Sequence, residues 1–182
     1  MYITGGQFNG LKVKTAKTMT IRPTTAKVRE AVFAILGTAV EGRTFLDVFA
    51  GSGIMGLEAL SRGAAFTTFV DSSRQSVSVI RENLSLFKDL AARAEINKCD
   101  AVRFLASGGA YDIIYIDPPY KSGLREEALQ ALDKEEGYAP QTVIIRTFKK
   151  YPVVYAPTRL ILDSVRDYGD MKLYFYYRSA KK

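Results

Sequence analysis

The sequence contains no histidine and no tryptophan, has a single cysteine, Cys99, and has no uninterrupted apolar run near the ~18 residues that a membrane-spanning helix requires. Each absence removes a class of function. Without histidine there is no imidazole to act as general base, and one thiol supports neither a disulfide framework nor the common zinc clusters, so no metal is expected. The opening stretch MYITGGQFNGLKVK has no apolar segment of signal-peptide length, so a cytoplasmic protein with no membrane association is expected. Its chemistry must come from carboxylates, backbone groups or a bound cofactor.

What is present suffices for a folded domain. The 182 residues are 47% hydrophobic, which fits one compact domain with a sizeable core, and a monomer is expected. The net charge of +7 and a pI near 9.4 favour polyanionic partners, although such a balance also occurs in proteins that bind none. The surplus is concentrated early: Lys12, Lys14, Lys17, Arg22, Lys27 and Arg29 are offset only by Glu30. A polyanion contact or a merely solvated face accounts for that run equally well.

Apolar period and Gly/Pro punctuation divide the chain. Residues 1–23 read as an N-terminal extension, a small β-hairpin around Gly5, Gly6 and Gly10, with Pro23 marking a helix start. From Thr24, the residues Val28, Val32, Ile35 and Leu36 recur on one helical face, with Gly37 as its stop. Residues 24–182 then alternate strands and helices. The strands are TFLDVF, FTTFV, AEINKC, DIIYID and TVIIRTF. The helices cover residues 54–60, a segment with Val77, Ile80, Leu84 and Phe87 on one side, a short piece around Val102 and Leu105, and residues 122–132. Such alternation implies right-handed crossovers and a parallel sheet covered on both faces. Beyond Pro157, TRLILDSV and MKLYFYY, joined by RDYGD, read as an antiparallel hairpin. The expected fold is α/β: a seven-stranded, mostly parallel Rossmann-like sheet ending in an antiparallel hairpin, the layout of class I methyltransferases and of some other doubly wound folds.

The first strand runs through Phe49 and Ala50 into Gly51, Ser52, Gly53, Ile54, Met55 and Gly56, a GxGxxG turn between a strand and a helix. Glycines let the backbone approach a ligand closely, and the helix N-terminus behind them favours an anionic group. Phe49, Ala50, Gly51, Gly53 and Gly56 are therefore candidate cofactor contacts. About 20 residues past Gly51 lies Asp71, followed by Ser72, where a carboxylate can accept hydrogen bonds from both hydroxyls of a ribose. Taken alone, Asp71 reads more simply as a helix N-cap. Nicotinamide dinucleotides and S-adenosylmethionine both present adenosine to such a crevice. Asp47, an acid inside a strand that should be apolar, leans toward the sulfonium cofactor, whose ammonium group it could face and whose place a pyrophosphate could not take without repulsion. Asp100, before Ala101, is placed to accept from an adenine amino group or to cap a helix.

The strongest signal is Asp117-Pro118-Pro119-Tyr120, directly after DIIYID and so at the C-terminal edge of the sheet, where ligands bind in such folds. Two prolines fix two φ angles and remove two N–H donors, leaving a stiff loop that offers carbonyl oxygens and the Asp117 carboxylate, itself also a candidate cofactor contact. A nucleobase amino group is a poor nucleophile because its lone pair is delocalised into the ring. Acceptors on its two N–H bonds favour a pyramidal nitrogen, so positioning and electrostatics can replace a histidine base. Tyr120 would stack on the base, worth roughly 1–3 kcal/mol.

An ordered series of segments, namely GGQFNGLKV, IRPTTAKVREAVFAIL, LDVFAGSGIMGLEALSRGA, ENLSLF, YDIIYIDPPY and YGDMKLYFY, resembles the bacterial 16S ribosomal RNA guanine-N2 methyltransferases of the RsmD family over nearly the whole chain. The resemblance implies methyl transfer from S-adenosylmethionine to N2 of one guanosine in small-subunit ribosomal RNA, either free or in the particle, with S-adenosylhomocysteine as product. It implies that the Gly51–Gly56 turn and Asp71 hold the cofactor, and that Asp117 to Tyr120 hold the base. Lys12, Arg22, Thr24, Lys27 and Arg29 then face RNA, with Arg22 and Arg29 as the expected phosphate contacts. Two departures from the family pattern stand out: Asp71 where glutamate is usual, and Arg146 where many members carry an acid. Three alternatives remain. A DNA adenine-N6 or cytosine-N4 methyltransferase shares the loop, but usually carries a target-recognition region for which this length leaves no room. An NAD-dependent oxidoreductase leaves the DPPY segment unexplained. A non-catalytic RNA-binding module would use the basic run alone.

Overall fold

Strands and helices alternate as the apolar pattern predicts, in a computed structural model that describes residues 1–15, 26–87, 89–119, 123–135, 137–138 and 140–178. Helix α1 (Ala26–Leu36) precedes β1 (Thr44–Val48), α2 (Ile54–Ser61), β2 (Phe66–Val70), α3 (Arg74–Leu84), β3 (Ala94–Asn97), α4 (Ala101–Ala106), β4 (Ile113–Ile116), α5 (Leu124–Lys134), β5 (Thr142–Phe148), β6 (Leu160–Tyr168) and β7 (Met171–Arg178). The sheet order is β3-β2-β1-β4-β5-β7-β6; the first five strands are parallel, and β7 and β6 complete it as an antiparallel hairpin. The hairpin turn is tighter than RDYGD suggests. Arg166, Asp167 and Tyr168 remain in β6, and Gly169 turns the chain at φ 58°. Asp163 is an extra residue in β6, between Leu162 opposite Tyr176 and Ser164 opposite Phe175.

Period-2 alternation sorts each strand's side chains onto two faces. Phe45, Phe69, Ile113 and Ile144 join Val32 and Phe33 of α1, Leu57 of α2 and Ile80 of α3 in one core cluster. Leu46, Val70, Ile114 and Val143 pack with Leu105 of α4 and Leu129 of α5 in the other. Helix α1 presents Val28, Arg29, Val32, Phe33 and Leu36 inward, so Phe33 takes the place expected of Ile35, which is 46% exposed. The 28/32/36 row is shared by both readings; the neighbouring row at 29/33 carries the larger ring inward.

Residues 1–15 fold back antiparallel, with Ile3 N–H bonded to the Leu11 carbonyl and Val13 N–H to that of Met1, but with a single bridge, Tyr2 to Lys12, rather than a regular strand pair. Ile3 and Val13 are buried in the main core, so this segment is part of the same packed unit as the sheet. Its Gly6 (φ 75°) lies so near the end of α2 that a Cβ would fall 1.9 Å from the Ser61 carbonyl oxygen.

Candidate active site

Strands β1 and β4 are neighbours and run parallel, so the glycine turn after β1 and the Asp117 loop after β4 emerge side by side at one edge of the sheet. The turn begins with strain. Phe49 has φ 61°, a left-handed conformation rare for a side chain with a Cβ and worth roughly 1–3 kcal/mol. It persists because its neighbours are fixed: Ala50 N–H donates to the Val70 carbonyl at 3.0 Å and Gly53 N–H to the Ala50 carbonyl at 2.8 Å. Gly51 and Gly53 also have positive φ, and Gly53 starts α2. Gly56 has a different role. A Cβ there would meet Phe69 Cε1 at 2.3 Å and Thr67 Cγ2 at 2.7 Å, so this glycine lets α2 lie directly on β2.

Three carboxylates converge around that turn. Asp47, 2% exposed, accepts the Gly56 N–H at 3.0 Å. Burial pushes its carboxyl well above the usual range; the Gly56 hydrogen bond opposes this, while Asp117 and Asp71 add to it. Asp71 Oδ2 accepts from Gly51 N–H and Oδ1 from Ser73 N–H, both at 2.8 Å. It therefore ties the glycine turn to the start of α3. The N-cap of α3 is Ser73, whose hydroxyl accepts from Ser76 N–H, so the capping reading of Asp71 is replaced. Asp100 does cap α4, accepting Arg103 N–H at 2.9 Å, and it is exposed, as is Ser72, while Ala101 is buried.

Asp117, 16% exposed, donates its N–H to the Val48 carbonyl at 3.4 Å, tying the loop to β1. Its carboxylate forms an ion pair with Arg146 Nη1 from β5. Arg146 is 3% exposed, and its partner is reachable because β5 pairs in parallel with β4. The sequence sets it apart as a departure from the family pattern but does not name its partner. The available signal is a charge in the otherwise apolar strand TVIIRTF. Tyr115, in register with Asp47, is fully buried beside this pair. Burial and the Asp117 and Asp47 charges raise its hydroxyl pKa, against the lowering effect of Arg146. Pro118 is buried and Pro119 exposed; Tyr120 lies outside the described residues.

Of the basic residues expected to face RNA, Lys12 and Lys27 are exposed, and Arg22 and Thr24 lie outside the described residues. Arg29 is a correction. It is 1% exposed, its Nε donates to Glu58 at 3.1 Å and its Nη2 to the Tyr2 carbonyl at 2.6 Å. A phosphate cannot reach a guanidinium enclosed between α1, α2 and the N-terminal segment. Asn83 of the ENLSLF segment is a further residue to which the sequence assigns no role. Its amide accepts from Lys14 N–H at 2.7 Å and donates to the carbonyls of Lys14, at 3.1 Å, and Ser52, at 3.0 Å, so it joins the basic segment to the glycine turn.

Residues 1–177 match the family described as Conserved hypothetical protein 95. The chain is 38% identical over 143 residues to the Escherichia coli (strain K12) protein named Ribosomal RNA small subunit methyltransferase D, covering 78% of this chain and 71% of that one. The chain belongs to the RsmD family. A Buchnera aphidicola protein of the same name is 30% identical over 179 residues, which cover 97% of this chain and 92% of the relative. The solved structure of yhhF from Escherichia coli superposes with a TM-score of 0.87 at 32% identity, covering 100% of this chain and 99% of that one. The RsmD family match thus runs through the N-terminal segment as well as the sheet.

Proposed function

We propose that the protein transfers a methyl group from S-adenosylmethionine to the exocyclic N2 amino group of a guanosine in small-subunit ribosomal RNA, leaving S-adenosylhomocysteine. One observation carries the reading: Asp47, Asp71 and Asp117 gather at a strained glycine turn beside a Pro-Pro loop. Among the described residues, the carboxyl groups here outnumber a single guanidinium that is itself paired with Asp117, which suits a cationic sulfonium and ammonium better than a pyrophosphate and favours S-adenosylmethionine over a nicotinamide dinucleotide. Phe49 to Gly56 with Asp47 and Asp71 would hold that cofactor, with Ser72, Asp100 and Ala101 toward its adenine. When bound, it supplies a methyl group already activated by a good leaving group.

The chain's own residues would do the rest by positioning. Asp117 and the Pro118 carbonyl accept from the two N–H bonds of the base, which holds its lone pair out of the ring and toward the reacting carbon. Because Asp117 N–H is bonded to β1 and two prolines follow, the acceptors need not reorganise when the base arrives. Tyr120 would stack on the base, and Lys12, Arg22, Thr24 and Lys27 would face the RNA backbone. The names of the relatives support ribosomal RNA over DNA.

The test combines binding with turnover. Calorimetry should show S-adenosylhomocysteine binding and no NAD binding, and labelled methyl groups should pass to N2 of guanosine in 30S particles or their RNA, and not to naked DNA. Asp117→Ala should lower the transfer rate on the order of 10²-fold, the effect of misplacing a reacting group. NAD binding alone, or an unimpaired Asp117→Ala, would refute the reading.

A further inference from the structure

A guanidinium buried beside the proposed base acceptor must have a consequence for the acceptor. Arg146 projects from β5 onto the sheet face that carries Asp47 and Tyr115, at the level where β4 ends and the Asp117 loop begins. Its charge lies out of water, so it acts through a far smaller dielectric than a surface arginine, and it reaches the carboxylate through a charge-assisted hydrogen bond. Asp117 has one rotatable bond to its carboxyl carbon and a second that spins the oxygens. A partner held in the core limits that rotation and so holds the acceptor angle. The carboxyl of Asp47 also lies within electrostatic reach of Asp117, so charge on the one disfavours charge on the other.

We propose that Arg146 is the positioning residue of the amino-group acceptor: through its ion pair it fixes the plane of the Asp117 carboxylate. The role rests on the methyl-transfer reading above and deepens it, since Arg146 is taken to act through Asp117 rather than directly on the base or the methyl group. Two consequences separate this role from simple support of the fold. Loss of Arg146 acts on turnover rather than on cofactor affinity, because the glycine turn keeps its own hydrogen bonds to Asp71 and Val70. Lysine, which keeps the charge but loses the planar fork, rescues in part.

The experiment compares full-length wild type with Arg146→Gln and Arg146→Lys, measuring kcat and KM on 30S particles, S-adenosylhomocysteine affinity by calorimetry, and the Asp117 side-chain torsions in crystal structures. Expected are a fall in kcat on the order of 10²-fold for Arg146→Gln, recovery to within about tenfold of wild type for Arg146→Lys, and S-adenosylhomocysteine affinities within about threefold of one another. Arg146→Gln with wild-type kcat, or with Asp117 torsions unchanged, overturns the proposal. If Arg146→Gln does not fold, Arg146→Lys with wild-type kcat and unchanged torsions overturns it instead. Wild-type protein that binds S-adenosylhomocysteine yet methylates no RNA refutes the functional reading separately, and the torsions still decide the positioning role.

Discussion

Replacing Glu58 with glutamine keeps the size of the side chain and removes its charge from the centre of a buried network. Glu58 is 0% exposed and each oxygen serves two donors. Oε2 accepts from Thr4 N–H at 2.8 Å and Arg29 Nε at 3.1 Å; Oε1 accepts from the Thr4 hydroxyl and from Arg62 Nε, at 2.9 and 2.8 Å. An amide in that place turns an NH₂ group toward one pair of donors and leaves Arg29 buried without a counter-ion. Removing one partner of a buried ion pair costs about 3–5 kcal/mol. Arg62 is part-exposed and can turn to water, so the lower half of that range is expected, and at roughly 3 °C per kcal/mol for a chain of this length the Tm falls by about 9–12 °C. Urea denaturation and a thermal scan measure it. Because the Thr4 hydrogen bonds go too, the N-terminal segment should become protease-sensitive before the sheet unfolds. In parallel, Arg29→Met should leave the salt dependence of RNA binding unchanged, whereas removing a cation that neutralises one phosphate of single-stranded RNA lowers that slope by about 0.7. A destabilisation under about 1 kcal/mol, together with a shallower salt slope for Arg29→Met, would mean that this guanidinium reaches solvent and RNA after all.

Gly56→Ala should destabilise the protein by about 1–3 kcal/mol and weaken S-adenosylhomocysteine binding, since the new methyl group displaces Phe69 or lifts the first turn of α2; unchanged denaturation and binding would contradict the close packing. Asp133 accepts from Thr158 N–H, Arg159 N–H and the Tyr155 hydroxyl, tying α5 to the segment entering β6. Burial alone would raise its carboxyl pKa, but those hydrogen bonds outweigh it and hold it below the usual value. The folded pKa is thus the lower one, so its contribution is full above the ordinary aspartate value of about 3.9 and is lost as pH falls through the depressed value. The stability gap between wild type and Asp133→Asn should close in acid, and a gap constant from pH 7 to pH 2 would exclude this origin.

The elements are legible in the sequence because their periods are clean: strands such as DIIYID and the 77/80/84 row of α3 admit one reading. The glycine turn and the Pro-Pro loop are legible for another reason, since glycine and proline restrict backbone whatever surrounds them. Partners are not legible. Arg29 sits in a basic run and reads as surface, yet it lies next to Val28 and four residues before Phe33, on the inward stripe of α1. Its clue is elsewhere, in Glu58 within the apolar helix IMGLEALS, a charge that could not be buried alone. Arg146 likewise announces a buried counter-ion, but only the sheet order, with β5 beside β4, identifies Asp117 as that counter-ion. Asp71 resembles a cap in the sequence, yet the chain enters α3 two residues later than that reading requires.

The additional residue in β6 bears on how this molecule behaves in a crowded solution. With Asp163 inserted, a foreign strand laid along that outer margin would match the hydrogen-bonding pattern on one side of the kink and miss it on the other, and Arg166 and Asp167 add charge along the same margin. The open side of the sheet is thereby a poor template for extension by another chain, although Ile161, Leu162 and Val165 lie exposed upon it.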